Sequence, residues 1–125
     1  MPNLPIQVHI LDADPSLCTA YARLMRSAKM EPRTFTSVED FLSSDFSDEN
    51  ACVIASVEMP GISGLELPGR LARSGRHLPV ILLTSHDSPE TRARARSEGA
   101  ATYFRRPIDD QALLDAIAWA LTLAR

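Results

Sequence analysis

Seven polar side chains stand where apolar runs of this sequence end: Asp12 and Asp14, Ser56 and Glu58, Thr84 and Ser85, and Arg106. They are carboxylates, hydroxyls and a guanidinium, drawn from separate stretches of the chain. An arginine offers a planar, permanently charged fork that suits a carboxylate. Ser56, with His86 as base and Asp12 or Asp87 as orienter, also holds the ingredients of a hydrolase. Ala55 and Val57, however, flank that serine where a nucleophile elbow carries glycines. No Gly-x-Gly-x-x-Gly and no Walker loop follows the first apolar run, so nucleotide binding is not expected. Polar strand ends also have a plainer origin, since loops are polar.

The elements that must position these groups alternate. Ile6 to Asp12 is a β-branched run that reads as a buried strand. Asp14 can cap a helix with Pro15 at its first position. Leu17, Ala20, Tyr21, Leu24, Met25 and Ala28 recur at helical spacing, and Pro32 is expected to stop that helix. Arg33 to Thr36 reads as a short strand. Ser37 to Asp40 resembles a capping box before a short helix, and a polar loop follows. Cys52 to Val57 is the third strand. Ser63-x-x-Glu66 forms another capping box, but Pro68-Gly69 falls just past the first turn, so this helix is expected to start late or bend before ending near Gly75. Pro79 to Thr84 is the fourth strand, and Ser88-Pro89 opens a helix closed by Gly99. Ala101 to Arg105 and a helix from Asp109 to about Leu123 complete the chain, the helix with Leu113, Leu114, Ile117, Leu121 and Ala118 or Ala120 inward. Such alternation predicts an α/β fold with a parallel sheet covered on both sides. Ligands of such sheets bind at the carboxyl ends of the strands, where Asp12, Ser56, Thr84 and Arg106 lie.

The 125 residues suit one domain, 1–125, and can bury a sizeable core without a staple. Net charge is −3, so there is no global field for nucleic acid. Cys18 and Cys52 match no metal or redox spacing and read as reduced core thiols, which points to the cytoplasm. No signal peptide and no membrane span is expected. His9 reads as a packed strand residue. Trp119 reads as a core edge or an interaction surface.

The stretches "VHILDAD", "MPGISGLEL", "LPVILLTSHD", "EGAATYFRRPID" and "ALLDAI" together resemble the receiver domain of two-component response regulators, over essentially the whole chain. The resemblance implies a flavodoxin-like doubly wound sheet of five strands in the order 2-1-3-4-5 with five helices. It implies a signalling module, not an enzyme, that takes a phosphoryl group from a histidine kinase onto an aspartate at the end of the third strand. Mg²⁺ held by an acidic pair, a lysine and a hydroxyl assist that transfer. The resemblance is closest to the branch whose members often carry a C-terminal helix-turn-helix output domain, a segment not expected within 1–125.

Position by position, the chain departs from that pattern. Asp12 takes the first acidic position and Ala13 the second. Ser56 stands at the phosphoacceptor position, with Glu58 two residues on. Thr84 matches the switch hydroxyl and Tyr103 the switch aromatic. Arg106 takes the lysine position, before Pro107, and the bond between them is expected to be cis. Mg²⁺ usually takes one or two carboxylates, so its binding is expected to be weak or absent; no cofactor is expected. An unactivated serine is a weak nucleophile. The resemblance therefore implies an atypical receiver, a pseudo-receiver, working through protein contacts: a histidine kinase, or a second copy through the fourth helix, fifth strand and fifth helix. Arg92, Arg94 and Arg96 are spread around the fourth helix by their spacing, so they are not all expected to be solvated on one face. Direct nucleic-acid or membrane binding is not expected. Arg106 is expected to pair with Asp12, or with Glu58, in place of metal and phosphate. The alternatives are control of the pocket by a small ligand, phosphorylation of Ser56, or the hydrolase above.

Overall fold

Residues 4–123 are described by the computed structural model. Its elements run β1 Gln7–Leu11, α1 Pro15–Ser27, β2 Glu31–Phe35, α2 Val38–Ser43, β3 Ala51–Ser56, α3 Leu67–Arg73, β4 Val80–Thr84, α4 Pro89–Glu98, β5 Thr102–Arg105 and α5 Asp110–Leu123. All four strand pairings are parallel and the order is β2-β1-β3-β4-β5, the flavodoxin-like doubly wound arrangement.

Period-two alternation along the inner strands divides two cores. Val8, Ile10, Cys52, Ile54, Ile81 and Leu83 point to the side covered by α1 and α5. Leu11, Val53, Ala55, Val80 and Leu82 point to the side covered by α2, α3 and α4. β3 and β4 are buried along their whole length, as strands covered on both faces must be. Edge strand β2 is mostly exposed.

Local chemistry sets the helix starts. Asp14 caps α1 by accepting the Ser16 N–H at 2.8 Å, with Pro15 following. Ser37 and Ser88 cap α2 and α4 in the same way, and Gly99 closes α4 at φ 97°. Three expectations need correction. Helix α1 ends at Ser27, before Pro32; Lys29 turns the chain at φ 64°, and Pro32 lies inside β2, whose edge position tolerates a missing N–H. The buried face of α1 is centred on Cys18, Ala22 and Met25, while Ala20 is exposed. The capping box at Ser63 is half-formed: Ser63 accepts the Leu65 N–H, but a 3-10 turn, Gly64–Glu66, precedes α3, and Glu66 instead lies beside Arg70. Helix α3 therefore starts late, with Pro68 in its first turn, where the lost N–H has no partner to miss.

Helix α4 buries only Ala95, and Arg92, Arg94 and Arg96 are all exposed. The helix is solvated around most of its circumference, so the three arginines are exposed although their spacing spreads them around it. In α5, Leu113, Ala116, Ile117 and Ala120 face inward and Trp119 is 53 % exposed, so it is not a core residue.

His9 is fully buried, and neither ring nitrogen has a hydrogen-bond partner. Phe41 and Phe46 pack against its ring at 5.1 and 5.9 Å, and Arg33 is its register partner on β2. Burial, with a smaller push from Arg33, lowers its pKa to about 4 from 6.5. Between those values the unfolded chain carries the proton and the folded chain does not. Stability thus falls as pH drops from about 6.5 to about 4, and is independent of this group above that window. His9→Leu should remove about 3 kcal/mol of the difference in unfolding free energy between about pH 7 and about pH 4. Urea unfolding of both proteins at the two pH values checks this; equal pH dependence would show that His9 is not the titrating group.

Candidate functional site

The chain reverses its winding between β1 and β3, and the polar site lies at the carboxyl ends of those strands and of β4 and β5. Asp12 follows β1, held by its N–H to the Phe35 carbonyl at 3.1 Å. Ser56 and Thr84 are the last residues of β3 and β4. Arg106 follows β5, its N–H on the Thr84 carbonyl at 2.7 Å, and the Arg106–Pro107 bond is cis.

The Arg106 guanidinium reaches back across the rim and engages three elements. Nη2 forms an ion pair with Asp12 Oδ2, Nη1 donates to Ser56 Oγ at 3.3 Å, and Nε donates to the Tyr21 hydroxyl of α1 at 3.3 Å. The side chains of Arg106 and Asp12 are 15 % and 6 % exposed, so the pair is largely withdrawn from water. The other Asp12 oxygen accepts the Asp14 N–H at 2.9 Å. Burial opposes the charge on Arg106, but the Tyr21 hydroxyl, Asp12 and Glu58 outweigh it and hold its pKa above the usual value.

Glu58 does not serve as the partner of Arg106. Its carboxylate turns to the end of β4, where the Thr84 hydroxyl donates to it at 2.6 Å and the Ser85 N–H at 2.8 Å. Its carbonyl faces the buried Ser56 hydroxyl at 3.4 Å. Tyr103 donates its hydroxyl to Asp87 at 2.8 Å, and Arg92 of α4 holds the second Asp87 oxygen at 2.5 Å. Those two donors keep the Asp87 carboxyl below the usual range; burial and then Asp87 push the Tyr103 hydroxyl up to about 12.

Gly64 fixes how closely the turn after β3 approaches the site. A Cβ there would lie 2.0 Å from the Ser56 carbonyl oxygen, so only glycine fits. Ser63 adds a bond from its hydroxyl to the Val57 carbonyl at 2.9 Å.

The residues present do not fit Mg²⁺. Both Asp12 oxygens are engaged, Ala13 has none to offer, and a guanidinium lies between Asp12 and Ser56. Among the described residues, no cluster of three or more His, Cys, Asp or Glu side chains is placed to hold a metal ion. A hydrolase is not assembled either. Ser56 Oγ contacts Arg106 and a carbonyl, whereas His86 is exposed and meets Thr84 through its backbone N–H.

Asp12, Ser56 and Arg106 therefore meet at one point, Glu58 and Thr84 at a second, and Tyr103 at a third. One participant escaped the sequence reading and another takes a different role from the one read there. Tyr21 sits in the helical apolar pattern, and nothing local marks its hydroxyl as a partner of a residue 85 positions away. Asp87 is a candidate orienter in the hydrolase reading; the fold instead brings it to Tyr103 and Arg92.

The response regulator receiver domain model matches residues 8–118. Among known proteins, the chain is 36 % identical over 118 residues to the transcriptional regulatory protein TdiR of Thauera aromatica, covering 94 % of this chain and 52 % of that protein. It is 34 % identical over 112 residues to the transcriptional regulatory protein FixJ of Azorhizobium caulinodans, covering 90 % and 53 %. The chain thus spans about half the length of the curated relatives it matches. Among solved structures, that of response regulator StyR superposes with a TM-score of 0.86 at 33 % identity, covering 97 % of this chain and 61 % of that one. With the fold, the strand-end site and these matches in agreement, the chain belongs to the response regulator receiver domain family.

Proposed function

We propose that this receiver domain signals without an aspartyl-phosphate cycle, its pocket held in one state by the ion pair between Arg106 and Asp12. The observation that carries this reading is the guanidinium seated between Asp12 and Ser56, the space that metal and phosphoryl oxygens would need. In this reading Ser56 takes the phosphoacceptor position, Ala13 and Asp12 the acidic pair, and Arg106 the lysine position. No base adjoins the Ser56 hydroxyl: its neighbours are a cation and a carbonyl, neither of which can take its proton. At 2 % exposure, Ser56 also offers a serine kinase little access.

Thr84 and Tyr103 act as the switch hydroxyl and aromatic, and both are tied to carboxylates, Glu58 and Asp87. The domain then works by protein contact, not as an enzyme. Its output face is α4, β5 and α5, where Arg92, Arg94 and Arg96 are exposed and can pair with the exposed Asp109 or Asp110 of a partner copy. A histidine kinase or a second copy is the partner, and a DNA-binding output domain in a longer regulator receives the signal, as the half-length match to two transcriptional regulators supports. Such a regulator acts in the cytoplasm; among the described residues, no helix is long and apolar enough to cross a membrane.

Incubation with acetyl phosphate and excess Mg²⁺ should leave the intact mass unchanged. A stoichiometric base-labile phosphoryl adduct would overturn the proposal. The scaffold should accept repair: Ala13→Asp with Ser56→Asp restores clustered carboxylates whose mutual repulsion Mg²⁺ relieves. Mg²⁺ should raise the melting temperature of that double variant by about 5 °C or more and hardly move the wild type. Equal responses would show that metal binding does not depend on these two positions.

A further inference from the structure

A cleft of about 400 Å³ lies between α3 and the segment that follows α2, and it shares no residue with the site above. Its apolar lining comes from Leu42, Phe46 and Leu71. Arg70, Arg73 and Arg76 converge on it, an unusual density for a chain of net charge −3.

The three arginines are not equivalent. Arg76 is already engaged: Nε pairs with Asp48 at 2.6 Å, Nη2 donates to the Phe46 carbonyl at 2.5 Å, and the guanidinium lies 3.9 Å from the Phe46 ring centroid. Asp48 is occupied in turn, its second oxygen accepting the His77 N–H at 2.8 Å. These bonds make Arg76 a fixed wall. Arg70 is far less satisfied. Its one carboxylate partner is Glu66 at 3.5 Å, and its Nε is buried with no acceptor. Arg73 forms no ion pair within 4 Å among the described residues, although Nη1 and the Glu98 carboxylate both approach Gly69. Ser74 does not compete as a donor, because its hydroxyl is bonded to the Arg70 carbonyl at 3.0 Å.

A buried N–H without an acceptor is a standing penalty, and most native donors avoid it. Arg70, which carries that penalty at Nε, lines a concavity of ligand size with a cationic rim and a smaller apolar patch from Leu42, Phe46 and Leu71. The guanidinium fork matches a carboxylate in shape as well as charge. Both faces of the Phe46 ring are covered, by Phe41 stacked at 4.4 Å and by Arg76, so its edge and the two leucines meet the ligand. We propose that this cleft binds a small organic carboxylate, its head between Arg70 and Arg73 and its apolar body against Leu42, Leu71 and Phe46.

The test uses the intact chain, phenylbutyrate as probe and amide NMR spectra as readout. Saturable shifts are expected around Leu42, Leu71 and Ser74. The neutral amide of the same acid and inorganic phosphate should give none, since one lacks the charge and the other the apolar body. Arg70→Gln and Arg73→Gln, both at partly or fully exposed positions, should each weaken binding about tenfold, while Arg94→Gln on α4 should not. Absence of saturable shifts overturns the proposal. So do equal binding of the amide or of phosphate, and unaltered affinity in both cleft variants with wild-type spectra elsewhere.

Discussion

One charged side chain ties this molecule's site together. Arg106, just after β5, crosses the sheet's carboxyl edge to reach Asp12 after β1, Ser56 at the end of β3 and Tyr21 on α1. Elements far apart in sequence are thereby held by a single guanidinium. Isolating two charges from water is expensive, and such a pair adds little net stability over an apolar substitute. In the proposed reading its effect is on specificity. Once the pair is buried, removing either member strands the other, so the pocket has one well-satisfied arrangement. The close fit of Gly64 against the Ser56 carbonyl limits how far the turn after β3 can move to accommodate a different one.

The same economy of partners extends outward from the pocket. Glu58 is tied to Thr84 and Ser85 and is not available to Arg106. Asp87 joins Tyr103 of β5 to Arg92 of α4. Helix α4 has few apolar anchors, with Ala95 its one buried residue, so these polar links carry much of its positioning. An element held by exposed hydrogen bonds more than by packing opens at low free energy. A partner protein binding at α4 and β5 would therefore work against a shallow restraint, whereas one acting on the Arg106–Asp12 pair would work against a deep one.

Much of this was legible in the residues. The parallel α/β architecture followed from alternation of apolar runs with capped helical segments, because caps and strand periodicity are local; the strand order came from the resemblance to receiver domains. The pairing of Arg106 with Asp12 followed from chemistry: a permanent cation brought to a strand-end carboxylate without metal or phosphate has few other partners. Where the reading failed, tertiary context decided. Pro32 ends no helix, because α1 had already stopped and an edge strand accommodates the proline. Glu58 looked like a partner for Arg106 by proximity in sequence to Ser56, but its backbone position aims it at β4.

The most direct test is the coupling between the two members of the pair. Asp12→Ala, Arg106→Ala and the double variant should be compared with the wild type by equilibrium denaturation at neutral pH. Each single change should destabilise by about 3 kcal/mol, because each strands a largely buried charge. The double change should cost much less than their sum, giving a coupling energy of about 2–3 kcal/mol. Additive effects, with coupling below about 0.5 kcal/mol, would mean that the two side chains do not depend on each other and that the pocket is not locked by this pair.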